Sequence, residues 1–141
     1  MARFKVRGKM SVFGGMSDRG KGMTVMEGLA LYDEKTAKGT DPYGTPLFVP
    51  EAQRPDNKGC ADWLNEAAYY IACRWKYRET SRSFLKMADV WVTNVKTGAK
   101  ARARPTDWGP NERTGRVADL SPGLAKFLSL KTDDEVEVEI A

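Results

Sequence analysis

VWVTNVKTGAKARARPTDWGPNERTGRVADLSPGLAKFLSLKTDDEVEVEI, Val90 to Ile140, is the stretch that decides the fold. Val90-Trp91-Val92-Thr93 joins β-branched and aromatic residues and predicts a strand. Asn94 to Gly98 reads as a turn, and Ala99 to Pro105 as the returning strand of a hairpin. Asp107-Trp108-Gly109-Pro110 breaks the pattern, and Arg116-Val117-Ala118-Asp119-Leu120 restores it as a second short strand. Ser121 before Pro122 pairs an N-cap with a first-turn proline, so Pro122 to Leu128 should be a short helix. Leu124, Phe127 and Leu128 would be its buried face. After a turn at Lys131 to Asp134, Val136, Val138 and Ile140 alternate with Glu135, Glu137 and Glu139. That period of two predicts a closing strand with one face buried.

Working outward, Phe4, Val6, Met10 and Val12 alternate with Lys5, Arg7, Lys9 and Ser11, which predicts a first strand. Gly8 marks a bulge or a close backbone approach within it. Gly14 to Gly22 is glycine-rich but lacks the order of a phosphate-binding loop, and reads as a turn. Gly28-Leu29-Ala30-Leu31-Tyr32 reads as a short buried strand. Residues 33 to 59 hold Pro42, Pro46, Pro50 and Pro55 and read as a long irregular loop pinned by Leu47-Phe48-Val49. Loops of that length in a compact domain are often functional. Ala61 to Tyr77 fits a helical stripe and a strand. The reading adopted is a short helix through about Glu66, then a strand. Thr80 to Lys86 predicts one helical turn capped by Thr80 or Ser81.

The 141 residues suit one domain, and 41% hydrophobic content with both charge signs interspersed suits a globular core. The net charge of +4 favours acidic partners. Its densest basic stretch, Lys100 to Arg104, alternates with Ala and reads as a solvated strand face, so no nucleic-acid partner is expected. The chain has no His, which excludes histidine-based triads and histidine-ligated metals. Carboxylates remain as the acid/base groups. Cys60 and Cys73 cannot alone close a four-ligand zinc site; two buried free thiols are the preferred reading over one disulfide. No cofactor is expected, no stretch approaches membrane-spanning length, and a monomer is the default. The alternating start carries no signal-peptide pattern, which predicts either cytoplasmic synthesis or a leader already removed.

Val90 to Asn94, Gly98, Arg102, Asp107-Trp108-Gly109-Pro110, Gly115 to Ser121, Ala125 and the final alternating strand occur in an order that resembles the double-psi β-barrel of rare lipoprotein A-like proteins. There a hairpin leads to an Asp-Arg-Gly-Pro turn, a strand ending Asp-Leu-Ser, a short helix and a last strand. The likeness covers about fifty residues well. Ser11-Val12-Phe13-Gly14 resembles the family's Ser-Trp-Tyr-Gly opening more loosely, and residues 16 to 59 have no counterpart. The resemblance implies a mainly β fold: one six-stranded double-psi barrel over residues 1–141, with short helices and a long irregular loop. Relatives of this barrel include lytic transglycosylases, family-45 endoglucanases and expansins. Some cut glycans, some only bind them, and others inhibit proteases. Trp108 stands where the family has Arg, and the family's active-site His, which would fall near Ala72 to Arg74, is missing.

The resemblance implies peptidoglycan or another glycan as partner, and lytic cleavage as the activity. In that reaction one carboxyl group serves first as acid and then as base, because the sugar's own hydroxyl is the nucleophile. Asp107, beside the desolvating ring of Trp108, is the first candidate; otherwise it ties down its turn through backbone N–H groups. Asp119 matches the catalytic acid position of endoglucanases and expansins; otherwise it is a carboxylate bonding the crossing loops. Arg116 would pair with either Asp or bind an acidic glycan substituent, its ordinary alternative being a surface ion pair. Trp108 with Tyr69, Tyr70 or Trp75 would stack on sugar rings, although Tyr70 and Trp75 read more readily as core. Asp18 and Glu27 are further carboxylates near the first strand. A phage or prophage lysis or virion-associated protein, delivered to the periplasm or cell wall, would fit. The alternative is a non-catalytic glycan- or protein-binding barrel, including a protease-inhibitor-like one.

Overall fold

The computed structural model describes residues 4–15, 28–54 and 59–141. Its strands are β1 (Lys5–Val12), β2 (Tyr70–Cys73), β3 (Val90–Asn94), β4 (Lys100–Trp108), β5 (Arg116–Leu120) and β6 (Glu135–Ile140). Two short helices join them, α1 (Arg82–Leu85) and α2 (Pro122–Phe127). The strands close a barrel in the order β1-β5-β2-β4-β3-β6. The fold is mainly β, as the resemblance implies.

The core follows from alternation. Val136, Val138 and Ile140 point inward from β6, and Val90 and Val92 from β3. On β4 the inward residues are Ala101 and Ala103, which face Val92 and Val90 across the ladder. Large residues thus meet small ones, which fills a narrow barrel without overpacking. The alternating Lys100 to Arg104 stretch is therefore half core. Its outward residues, Arg102 and Arg104, each reach Asp89 at 3.1 Å.

Strand pairing is mixed. β1 with β5 and β2 with β4 are parallel, and the other four pairs are antiparallel. Exchanging β1 with β4, β2 with β5 and β3 with β6 returns the same set of pairs in the same sense. The barrel is thus two interlocked three-strand halves. β2 and β5 lie side by side, each reached by a connection that crosses the other strand. This connectivity is compatible with a double-psi barrel. Each parallel pair carries one register shift, at Lys9/Met10 and at Ile71/Ala72. A Cβ on Gly8 would stand 2.8 Å from Val117 Cγ1, so the predicted close approach is present, one residue before the first shift.

Several expectations are corrected. β4 does not break at Asp107 but runs through Trp108 and leaves the ladder at Gly109, whose φ is 139°. Gly28 to Tyr32 is no strand. Leu31 and Tyr32 are buried, but the segment reaches the barrel through single bonds, such as Leu31 N–H to Thr106 C=O at 3.3 Å. The helix before β2 is only one 3-10 turn, Cys60–Trp63. Ser81, not Thr80, caps α1, accepting from Phe84 N–H at 3.2 Å. On α2, Leu124 and Leu128 are buried, but Phe127 is 60% exposed. The buried face is Leu124, Ala125 and Leu128, which leaves Phe127 at its outer edge. The loop from 33 is irregular as predicted, with Leu47 and Phe48 buried. Among the described residues no helix is long and apolar enough to cross a membrane.

α2 is seated closely. Gly123 N–H donates to Glu66 C=O at 2.8 Å, and a Cβ there would lie 2.7 Å from that oxygen and 2.9 Å from the carbonyl oxygen of Ala67. Backbone atoms cannot swing aside. Gly123→Ala should therefore cost about 1–3 kcal/mol, read as a lower urea midpoint at unchanged slope.

Candidate functional site

Ala72 on β2 is paired with Asp107 of β4 on one side and with Asp119 of β5 on the other. Asp119 is paired in turn with Ser11 of β1. Directly paired residues project from the same face of a sheet. The opposite face carries Met10, Ala118, Leu120, Ile71 and Cys73, all at 0% exposure. Ser11, Asp119, Ala72 and Asp107 therefore cross the outside of the barrel as one row. Two strand spacings of about 4.8 Å place the two aspartate Cα atoms roughly 9–10 Å apart. Both aspartates are half-buried, while Ala72 between them is buried. Ala72, the first of the residues Ala72 to Arg74 near which the family likeness would put a His, lies at the centre of the row.

Asp107 is anchored. Its Oδ1 accepts from Ala30 N–H and from Trp108 N–H, both at 2.8 Å. Its carbonyl accepts from the Trp75 indole at 2.8 Å, and the Trp108 indole donates to Trp75 C=O at 3.0 Å. The end of β4, the stretch after β2 and the segment at Ala30 are thereby tied into one corner. These bonds hold the Asp107 carboxyl group in a fixed place at the end of the row. Trp108, the last residue of β4, is 45% exposed at this corner.

Two thiols flank the row. Burial pushes the Cys60 thiol up to about 11, and the charges of Asp33 and Asp107 add to the effect. Cys73 is raised well above its ordinary value by burial first and by the Asp119 charge second. Both are free and buried, as the sequence suggests. A thiol that keeps its proton at neutral pH is a poor nucleophile. The thiol reagent DTNB at pH 8 should accordingly label the native protein slowly and the denatured protein fast at both cysteines. Labelling of native Cys60 should rise about tenfold per pH unit and level off only as pH nears 11.

The other expected residues divide. Arg116 Nε meets Asp133 at 2.9 Å on the surface, and the Asp119 charge also acts on its guanidinium. The pair raises the guanidinium and lowers the Asp133 carboxyl. Tyr70 is fully buried, its hydroxyl donating to Phe13 C=O at 2.9 Å, and Trp75 is 3% exposed against Phe4. Neither ring has a face open to a sugar, which corrects their place in a stacking platform; both fill the ends of the core. Tyr69 is partly exposed but lies elsewhere, beside Tyr43 and Phe127. Asp18, Glu27 and the glycine loop from Met16 to Gly22 lie outside the described residues. Arg74, which no sequence signal marked, donates to Pro110 C=O at 2.7 Å and Arg116 C=O at 2.8 Å, fixing the turn between β4 and β5. Among the described residues no group of three potential metal ligands occurs.

Compared with protein-family models the chain gives no match, and compared with curated proteins it gives none.

Proposed function

We propose that this barrel cuts the glycan strand of peptidoglycan by lytic cleavage, with Asp119 as the proton-handling carboxyl group. The observation that carries this is the row in which two carboxylates flank Ala72 on the outer face, with Trp108 half-exposed at one end. Two N–H groups hold the Asp107 carboxyl group in place at Oδ1, and as a fixed anion it would stabilise positive charge that develops on the sugar ring. In this reading Asp119 takes the proton transfer, and Asp107, the first candidate from sequence, takes the charge stabilisation. Asp119 protonates the leaving oxygen, the sugar's own hydroxyl closes on the anomeric carbon, and Asp119 recovers the proton. No water is consumed and no His is needed. Trp108 offers an exposed ring for sugar stacking. A lysis or virion-associated role delivered to the cell wall suits this activity and the +4 charge.

A second reading has its own observation. Ala72 stands at the centre of the row, and it can neither give nor take a proton. A binding-only barrel would use the same face without cutting. Purified peptidoglycan incubated with the protein separates the two. Soluble fragments should appear if it cuts. Intact walls that pellet with the protein would favour binding only, and intact walls without bound protein would remove both readings.

A further inference from the structure

A second concave site lies at the other end of β2, where the long loop meets α2. A cleft of about 320 Å³ is lined by Tyr43, Thr45, Ala67, Tyr69, Lys100 and Phe127, with Asp41 at its base. Tyr69 packs edge-on to Tyr43 with ring centroids 5.6 Å apart, and lies 5.7 Å from Phe127. Tyr43 is 50% exposed and Phe127 60%. Singly exposed apolar residues need no explanation, but aromatic rings gathered round a concavity mark a binding surface.

The rings are held in place before any ligand arrives. Asp41 is 2% exposed. Its Oδ1 accepts from Tyr43 N–H at 2.8 Å and Thr45 N–H at 3.0 Å, and its Oδ2 accepts from Tyr69 N–H at 2.8 Å. One buried carboxylate thus fixes the backbone of two cleft aromatics. The Tyr43 hydroxyl accepts from Arg102 N–H at 2.9 Å, and the Arg102 guanidinium lies over the Tyr43 ring at 4.8 Å. A ring clamped at its backbone, its hydroxyl and its face loses little freedom on binding.

We propose that this cleft is a second carbohydrate site, taking a pyranose ring that carries a carboxylate. The aromatic edges and faces accept the ring's C–H surface, and Lys100 at the rim, whose Nζ lies over the Trp91 ring at 4.6 Å, supplies the cation for the carboxylate. A concave pocket of this size with few polar groups fits a small ring better than a flat protein partner. The choice of a glycan as occupant rests on the function proposed above; the rigid cleft itself does not. Its effect would be to hold a long strand at a distance from the Asp107–Asp119 row.

The test is titration of the full chain with a muramic-acid-containing disaccharide and with neutral chitobiose, followed by NMR of the aromatic side chains. The acidic sugar should shift Tyr43, Tyr69 and Phe127 signals. Phe127→Ala, at an exposed position, should weaken that binding about tenfold, and Lys100→Glu should remove the preference for the acidic sugar over chitobiose. Shifts confined to Trp108 would overturn the second site while leaving the proposed function standing. Shifts at neither place, with walls left uncut, would overturn both. Signals at Phe127 that move with protein concentration and not with sugar would assign the cleft to a second copy of the chain and overturn the carbohydrate proposal.

Discussion

Replacing Asp119 with Asn should lower release of soluble fragments from peptidoglycan by about 10²–10⁴-fold, the usual contribution of a positioned acid/base group. The amide has nearly the shape of the carboxyl group and remains able to hydrogen-bond. It cannot give a proton to a leaving oxygen and take one back. Equal melting curves for the variant and the wild type would assign the loss to chemistry. Asp107→Asn separates the two roles. Its Oδ1 can still accept from Ala30 and Trp108, so the corner of the barrel is retained while the charge is lost. A fixed anion contributes through charge alone, so this loss should be the smaller of the two. A larger loss at Asp107 would return the acid/base role to it.

Asp41→Ala should be the most damaging of the stability variants. The side chain is 2% exposed and accepts three backbone N–H bonds. A hydrogen bond to a charged group contributes about 1.5–3 kcal/mol, and losing it leaves a buried donor unsatisfied. The three are not additive, because the loop relaxes once the first is lost. A loss of about 3–5 kcal/mol is expected, near the upper end for single substitutions. For a domain of this size it should lower the melting temperature by roughly 10–20 °C. Asp41→Asn should fall between, since its oxygen can still serve Tyr43 and Thr45 while its NH₂ opposes the N–H of Tyr69. Thermal unfolding of the three proteins checks the order.

β1 and β6 were legible from their period of two, because one face of each is buried and the pattern says which; β3 and β5 were legible as short runs bounded by turn residues. The hairpin and the Ser121 cap were legible for the same local reasons. The row of Asp107, Ala72 and Asp119 was legible only as separate residues. Their meeting depends on a parallel and an antiparallel pairing to β2, and on a register shift at Ile71/Ala72, none of which leaves a local trace. Tyr70 and Trp75 were wrongly offered as platform rings because aromatic residues look alike in sequence whether they fill a core or face a ligand. Phe127 erred the other way. The spacing of three and four treats Leu124, Phe127 and Leu128 as equals, but α2 ends at Phe127 and turns that ring outward. The loop from 33 has no period to read, because its order comes from Asp41 and from single bonds such as Asn65 N–H to Leu47 C=O.

Mass spectrometry of the fragments released from purified peptidoglycan tests the central claim most directly. Lytic cleavage by Asp119 predicts anhydro-sugar ends, one water lighter than hydrolytic ends, with wild type and almost none with Asp119→Asn. Hydrolytic ends, or equal anhydro products from the two proteins, or no fragments at all, would contradict it.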